Sequence, residues 1–200
     1  MKTILINKKK KSRPKIQLTV QRVEASQWVA LGFDKHHYLT HELNPSAKCL
    51  VFCWDGVPVA FMAMLNSPRK GMPMGHSVSR LVILPDYQGL GLSSTILNFC
   101  GGVLRSLGEE YPLYIKTIHD KMGEHLTRSE KWLPTSYNGK ERTIESARHD
   151  SHRYRNRLTR ISYCFKYVGE PIYGYEELLL SIKELREKKK DKKIIQLSLF

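Results

Sequence analysis

One stretch of this 200-residue chain constrains its fold more than any other. Residues 77–84 form a run that, after Ser77, is apolar except at Ser79 and Arg80, which is typical of a mostly buried β-strand. Pro85 ends that strand, and residues 86–91 form a turn segment with two glycines. Apolar residues at helical spacing follow, namely Leu92, Ile96, Phe99, Val103 and Leu107. The sequence therefore predicts a strand, a glycine loop and an amphipathic helix in direct succession.

This succession favours the binding of a phosphate group. Glycines let the main chain approach a ligand closely, and the first turn of a helix leaves several N–H groups without intrahelical partners. The helix dipole adds positive potential at the same point. Ser93 and Ser94, in the predicted first turn, can donate hydroxyl hydrogen bonds to the same anion. The alternative interpretation is an ordinary turn between a strand and a helix.

The longer string LVILPDYQGLGLSSTIL resembles the acetyl-coenzyme A signature of the GNAT acyltransferase superfamily, in which Q/R-x-x-G-x-G/A follows a strand and opens a helix. The signature falls on Gln88, Gly89, Leu90, Gly91, Leu92 and Ser93. Serine stands at the last position, where the family usually has glycine or alanine. The resemblance covers roughly residues 16–168.

The resemblance implies a mixed α/β fold with a mostly antiparallel central sheet, flanking helices and one splayed pair of strands. It implies acetyl-CoA, or another acyl-CoA, as co-substrate, with the diphosphate bound by the signature residues and Ser94. The pantetheine arm would pair with the main chain at Val82, Ile83 and Leu84, and an N–H near Leu84 would polarise the thioester carbonyl. Many members carry a tyrosine general acid in the helix after the next strand. Residues 122–132 contain none here.

Two histidines are candidates for the base that accepts a proton from an attacking amine. His37 lies in FDKHHYLTHEL, the segment that the resemblance places on the acceptor side of the cleft. A surface or capping role for His37, and a metal pair with His41, are the alternatives, and we expect no metal. His119 follows a predicted strand over residues 113–118 and is a candidate base or substrate contact. Arg80, a charge within an apolar strand, must be paired or face the cleft.

The charge of the chain indicates a polyanionic partner. Thirty-three lysines and arginines against nineteen aspartates and glutamates give a formal net charge of +14, which favours nucleic acid. A merely soluble basic surface is the alternative. Residues 1–15 contain no acid and predict an extended basic arm. The arginine-rich segment 135–160 supplies the candidate contacts to DNA: Arg148, Arg153, Tyr154, Arg155, Arg157 and Arg160.

Composition also bears on the compartment. No apolar run approaches the roughly 20 residues that span a bilayer, and the lysine-rich start lacks the apolar core of a signal peptide. We therefore expect a cytoplasmic protein that does not bind membranes. The four cysteines have apolar neighbours, which predicts reduced core thiols rather than disulfides or metal ligands.

The chain ends in an apolar peptide. Residues 175–193 predict a charged helix that frays into a lysine run, and the peptide after it is expected to be free. Its last five residues match the bacterial sliding-clamp-binding peptide, Q-L-S/D-L-F: Gln196, Leu197, Ser198, Leu199 and Phe200. Five fixed positions coincide by chance on the order of once in a million sites. The match implies recruitment to the replication clamp.

These features predict four segments: a basic arm (1–15), a GNAT-like domain (16–168), a charged helix or linker (169–193) and a clamp-binding tail (194–200). The predicted function is acyl-CoA-dependent N-acylation on or near DNA, of a nucleobase amine or of a DNA-associated protein. The expected setting is the nucleoid of a bacterial or phage-infected cell.

A second, shorter resemblance concerns the acceptor. His37-Tyr38, Arg80 and Ser93-Ser94 are loosely similar to phage Mom-type DNA-modifying proteins, which share the GNAT fold and alter adenine. This similarity makes Tyr38 and Arg80 candidate catalytic residues beside the histidines. The alternatives are acetylation of charged tRNA or of a ribosomal protein, and a non-catalytic, clamp-tethered DNA-binding protein with a vestigial acyl-CoA pocket.

Overall fold

The computed structural model describes residues 16–37, 42–71, 73–141, 161–184 and 195–199, the last range by its main chain only. Several predictions fall outside the described residues. They concern the basic arm at 1–15 and the following residues: Tyr38, His41, Arg148, Arg153, Tyr154, Arg155, Arg157, Arg160 and Phe200.

The strands of the described chain are β1 (Ile16–Val23), β2 (Lys48–Trp54), β3 (Val57–Asn66), β4 (His76–Ile83), β5 (Leu113–Thr117), β6 (Trp132–Pro134), β7 (Lys140–Glu141), β8 (Ile161–Tyr167) and β9 (Ile195–Leu199). Its α-helices are α1 (Gln27–Ala30), α2 (Leu92–Arg105) and α3 (Asp120–Thr127). Short 3₁₀ turns lie at Phe33–His36, Pro85–Tyr87 and Glu176–Leu179. None of the described helices combines the length and the apolar character needed to cross a membrane.

The strands form one mixed sheet in the order β6-β8-β5-β4-β3-β2-β1-β9, and β7 also pairs with β8. Each neighbouring pair is antiparallel except β4 and β5, which run parallel. Asp55 and Gly56 join β2 to β3 with φ angles of 49° and 81°, which suits a tight hairpin turn. The predicted mixed α/β fold with a mostly antiparallel sheet is confirmed.

The parallel pair separates soon after it begins. β4 and β5 are paired only at His76 with Leu113 and at Ser77 with Tyr114. A register shift between Ala63 and Met64 of β3 lies beside this point, and such bulges bend and twist a strand. Beyond Ser77 the two strands leave a gap between them, so the predicted splay is confirmed.

The core lies on both faces of the sheet. α2 packs its apolar side against one face, with Leu92, Ile96 and Val103 almost fully buried. Trp28 and Phe33 cover the other face around Phe61. All four cysteines are buried, as predicted for core thiols. Burial raises the pKa of Cys49 to about 11, which keeps that thiol protonated.

The prediction of a helix over residues 175–193 is wrong for residues 176–180, which the structure describes. There the chain makes the 3₁₀ turn Glu176–Leu179 and then extends at Leu180, which has φ −67° and ψ 157°. Leu178 and its neighbour Leu179 are both buried, whereas an amphipathic helix would bury residues three or four apart. Arg22 of β1 donates from Nε to the main-chain oxygen of Leu180 over 3.4 Å and holds the extended chain against the sheet.

The expectation of a free C-terminal tail is also wrong in this structure. β9 pairs antiparallel with β1, from Ile16 with Leu199 to Val20 with Ile195. Without β9, β1 would be an edge strand with unpaired main-chain groups, which readily accept another strand. The tail therefore occupies the edge of the sheet that the other described residues leave open.

Candidate functional site

A cleft of about 650 Å³ opens where β4 and β5 separate. Its walls are the second half of β4, the glycine loop with the first turn of α2, the end of β5, and α3. The predicted cofactor residues line it, except Leu84 and Leu90: Val82, Ile83, Gln88, Gly89, Gly91, Leu92, Ser93 and Ser94. The structure thus brings most of the predicted site together in one cleft.

The glycine loop presents a helix N-terminus to this cleft. Gly89 and Gly91 have φ angles of 81° and 83°, a backbone region that other residues adopt only with strain. No side chain caps α2, which begins directly after Gly91. The first intrahelical N–H bond from this end runs from Thr95 to Gly91 over 3.3 Å, so the N–H groups before it lack intrahelical partners.

The loop also has room for a ligand. A Cβ atom built on Gly89 would meet nothing within 4 Å. The uncapped helix end supplies N–H donors and positive potential beside this open space. These features fit the diphosphate of an acyl-CoA. The hydroxyl of Ser94 donates to the main-chain oxygen of Gly91 over 3.0 Å, so it also braces the turn.

Gln88 connects the loop to the strand before it. Its side-chain Nε2 donates to the main-chain oxygen of Ile83 over 3.0 Å. The resemblance placed Gln88 among the residues that contact the cofactor. In the structure this side chain lines the cleft and also fixes the position of the loop relative to the end of β4.

The expectation that an N–H near Leu84 polarises the thioester stays a prediction, but the N–H of Leu84 itself does not face the cleft. The N–H of Leu84 donates to the oxygen of Val59 in the neighbouring strand over 3.0 Å. Main-chain groups of successive residues point to opposite edges of a strand, so Ile83 and Leu81 face the gap toward β5. The contact from Gln88 to the oxygen of Ile83 agrees with this orientation. These two residues therefore offer the open edge to a ligand.

His37 stands at the cleft beside two other side chains. Its ring meets Trp28 edge to face at 5.8 Å between centroids. Burial, and then the charge of Arg80, lower the pKa of His37 to about 4. His37 is therefore neutral at pH 7. A neutral imidazole has one nitrogen that can accept a hydrogen bond, but so low a pKa makes His37 a weak base for the predicted role.

Arg80 lies next to the cleft but is not one of the residues that line it. Its guanidinium donates from Nη1 to the oxygen of Ser79 over 2.9 Å and from Nη2 to the oxygen of Glu42 over 3.2 Å. These contacts connect β4 to the chain that precedes β2. Arg80, predicted to be catalytic, is therefore placed as a positioning residue for this side of the cleft and as a charge near His37.

His119 lines the cleft at the start of α3. Its Nδ1 accepts the main-chain N–H of Met122 over 3.4 Å and caps the helix. Because Nδ1 accepts, the neutral ring carries its proton on Nε2 and is a donor there. A neutral ring in this tautomer can donate a hydrogen bond to a substrate from Nε2. The role of His119 as a base or a substrate contact stays a prediction.

His36, within the segment that the resemblance placed on the acceptor side, lines the cleft. Four further cleft residues escaped the sequence analysis: Tyr87, Lys116, Lys121 and His125. His125 lies one turn after Lys121 on α3, and the helical period was the signal that could have revealed this shared face. Tyr137, the tyrosine nearest to the expected general-acid segment, is 62% exposed and does not line the cleft. Tyr87 does, with its ring 5.9 Å from that of Trp54.

Comparison with solved structures shows the same fold in known acetyltransferases. Arabidopsis thaliana Naa50, in complex with the bisubstrate analogue CoA-Ac-MVNAL, has a TM-score of 0.54 and 13% identity, over 76% of this chain and 99% of that chain. The ribosomal-protein-S18-alanine N-acetyltransferase from Escherichia coli has a TM-score of 0.52 and 14% identity, over 78% and 99%. A GNAT-family acetyltransferase from Streptococcus pneumoniae has a TM-score of 0.53 and 14% identity, over 76% and 99%.

Sequence comparison agrees with the fold. No curated protein matches the chain. The model of the acetyltransferase (GNAT) family matches residues 18–123, which is more than half of the chain and includes the splayed strands and the glycine loop. The chain therefore belongs to the GNAT family of acetyltransferases, whose co-substrate is acetyl-CoA.

Proposed function

We propose that this acetyltransferase acts on an amine of DNA or of a protein bound to DNA. The observation that supports the proposal most strongly is the charge of the cleft. In the part of the cleft that the structure describes, the lining includes Lys116 and Lys121 and no carboxylate. A small cationic amine would be repelled there, whereas an amine surrounded by phosphates would be attracted. The formal net charge of +14 extends this preference to the whole chain.

The side chains of the cleft support transfer to a neutral amine. Bound acyl-CoA supplies the acyl group as a thioester; the new bond joins its carbonyl carbon to the acceptor nitrogen, and the carbon–sulfur bond breaks. His37 is uncharged at neutral pH and can accept a hydrogen bond from the attacking N–H. The Nε2–H of His119 can donate a hydrogen bond to the departing thiolate. The proton that the acceptor nitrogen loses passes to solvent, and the thiolate takes one proton from solvent in turn. A nucleobase amine is neutral at pH 7 and requires no strong base to become so.

Two sequence resemblances support DNA as the setting. The tail Gln196–Phe200 matches the sliding-clamp peptide, and we propose the replication clamp as the partner that brings the enzyme to DNA. The similarity of His37-Tyr38, Arg80 and Ser93-Ser94 to Mom-type proteins favours adenine as the acceptor base. A base within a duplex would have to be flipped out, or be met as a single strand near a replication fork.

The same charges favour a second candidate. Transfer RNA and ribosomal proteins bound to RNA also present amines among phosphates. The Escherichia coli enzyme that shares this fold acts on an alanine of ribosomal protein S18, according to its name. A third candidate is a DNA-bound adaptor that binds acyl-CoA without turnover.

One experiment separates these candidates. The purified chain is incubated with isotope-labelled acetyl-CoA and, in parallel, with duplex DNA, single-stranded DNA, DNA-bound proteins, tRNA and ribosomal proteins. Digestion and mass spectrometry then locate the label. We expect acetyl groups on DNA nucleosides or on DNA-bound proteins. Label on tRNA or ribosomal proteins alone, or no label on any acceptor despite binding of acetyl-CoA, would overturn the proposal. A Gly91→Val variant, strained at φ 83° in the loop, serves as the inactive control.

A further inference from the structure

We infer that the edge of β1 and a groove on the clamp compete for one segment of this chain, so that the clamp peptide is stored in the sheet until the clamp takes it. The inference rests on the proposed recruitment by the clamp. It begins from the register of the tail: β9 pairs Leu18 with Leu197 and Thr19 with Gln196. Four of the five clamp-motif residues, positions 196–199, therefore lie within this strand.

The two binding modes exclude each other for a physical reason. An extended peptide that enters a groove offers its main-chain groups and its side chains to the partner. In β9 alternate residues across positions 195–199 pair their N–H and C=O groups with β1. Those groups cannot serve the clamp at the same time, and a tail that lies along β1 has one edge covered and cannot enter a groove, so binding to the clamp requires the tail to leave the sheet.

Release of the tail need not disturb the rest of the domain. β1 keeps six residue pairs with β2, from Leu18 with Trp54 to Val23 with Cys49. Leu18 is fully buried in the core, and Arg22 still donates to the oxygen of Cys49 over 3.0 Å. The edge of the sheet can therefore open while the sheet remains intact, and what it exposes is a bare strand edge.

The stored tail is also remote from the acyl-CoA cleft. β9 lies four strand spacings from β4, which is roughly 19 Å at about 4.8 Å for each spacing. Release of the tail therefore removes no element that borders the gap between β4 and β5. The enzyme could be held at the clamp by its tail and still bind acyl-CoA.

Storage predicts that the intact protein binds the clamp less tightly than its own tail peptide does. Only molecules whose tail is released from the sheet can bind the clamp. The apparent affinity of the full chain therefore equals the affinity of the free tail multiplied by the fraction of molecules in the released state. With a stored population of about nine tenths, a synthetic peptide of residues 194–200 would bind purified bacterial clamp about tenfold more tightly than the full chain. Hydrogen exchange at the alternate amides of residues 16–20 that face β9 should rise when clamp is added, because those amides lose their β9 partners.

A reversible cross-link provides the direct test. Gln17 and Ser198 are register partners, so a Gln17→Cys/Ser198→Cys variant can be closed by oxidation and opened by reductant. We expect the oxidised protein to lose clamp binding at least tenfold and the reduced protein to regain it. The Gln17→Cys single variant is the control and should bind alike in both conditions.

The outcomes distinguish the two proposals. If the oxidised double variant binds the clamp as well as its reduced form does, the competition is refuted while recruitment stands. Equal affinity of the peptide and the full chain, with unchanged exchange at residues 16–20, refutes the competition as well. If neither the full chain nor the synthetic peptide binds the clamp, recruitment itself fails and the competition fails with it.

Discussion

The side-chain amide of Gln88 donates to the main-chain oxygen of Ile83 over 3.0 Å, and this bond ties the glycine loop to the last residue of β4. The loop and the open edge of β4 are the two surfaces that an acyl-CoA would meet in the cleft. The position of the loop relative to β4 therefore depends in part on this one hydrogen bond between them.

Removal of this bond should weaken the binding of acetyl-CoA. Gln88→Ala deletes the donor and leaves the oxygen of Ile83 without it, a loss of about 1 kcal/mol that corresponds to roughly a fivefold rise in KM. Steady-state kinetics with varied acetyl-CoA measure the change. Gln21→Ala, at an exposed position of β1, is the matched control. An unchanged KM in Gln88→Ala would show that the loop is held by other contacts.

The low pKa of His37 has two separable causes. Burial is the larger one and the charge of Arg80 is the second, so Arg80→Leu should raise the pKa of His37 from about 4 toward its ordinary value without reaching it. An NMR titration of the histidine ring protons measures the shift. His76, whose pKa is lowered to about 4 by its own burial and by Lys48, is the internal control and should not move. A His37 pKa that stays at about 4 would contradict the assigned role of Arg80.

The same two histidines predict a loss of stability in mild acid. Their pKa values are lower in the folded chain than in the unfolded chain, so the unfolded state binds more protons between about pH 4 and pH 6.5. Stability is therefore present above pH 6.5 and falls as the pH drops through this window. Urea unfolding at several pH values measures the slope.

His76→Asn should flatten that slope. The Nδ1 of His76 lies 2.9 Å from the oxygen of Met74, and an asparagine amide can replace that donor without titrating. His125→Asn, at an exposed position, is the control. An undiminished slope in His76→Asn would mean that other groups cause the acid sensitivity.

The close packing of α2 against β8 predicts an unusual effect of alanine in a helix. A Cβ at Gly101 would clash with the ring of Tyr167, a buried residue that also meets the ring of Trp132 at 5.1 Å between centroids. Gly101→Ala should therefore destabilise the fold by about 1–3 kcal/mol, although alanine is favoured over glycine in exposed helices. Denaturant unfolding measures the loss.

A double variant shows whether the clash is the cause. In the Tyr167→Leu background the added methyl group meets a smaller side chain, so the cost of Gly101→Ala should shrink. A cost that is equal in both backgrounds would place the strain elsewhere.

The parts of the fold that could be predicted from the sequence were carried by local patterns. The period of apolar residues identified β4 and α2, the glycines between them marked the loop, and Asp55-Gly56 marked the hairpin. The acyl-CoA cleft follows from these elements because the loop, the helix end and the strand edge are contiguous in sequence.

The parts that were missed depend on distant partners. The pairing of β9 with β1 joins residues at opposite ends of the chain, and neither segment signals its partner. The orientation of Leu84 depends on the pairing of β4 with β3, which decides the edge that each N–H faces. The pKa of His37 depends on burial and on Arg80, which lies far from it in sequence.

Binding of coenzyme A to a matched pair of glycine variants tests the central claim, that the loop main chain holds the carrier. Gly89 and Gly56 both have φ 81° and open space around a built Cβ, but only Gly89 lies in the cleft. Gly89→Ala and Gly56→Ala should therefore cost similar strain, about 1–2 kcal/mol. Calorimetry should show coenzyme A binding to the wild type and to Gly56→Ala, and at least tenfold weaker binding to Gly89→Ala. No binding to the wild type, or equal binding to the two variants, would contradict the account.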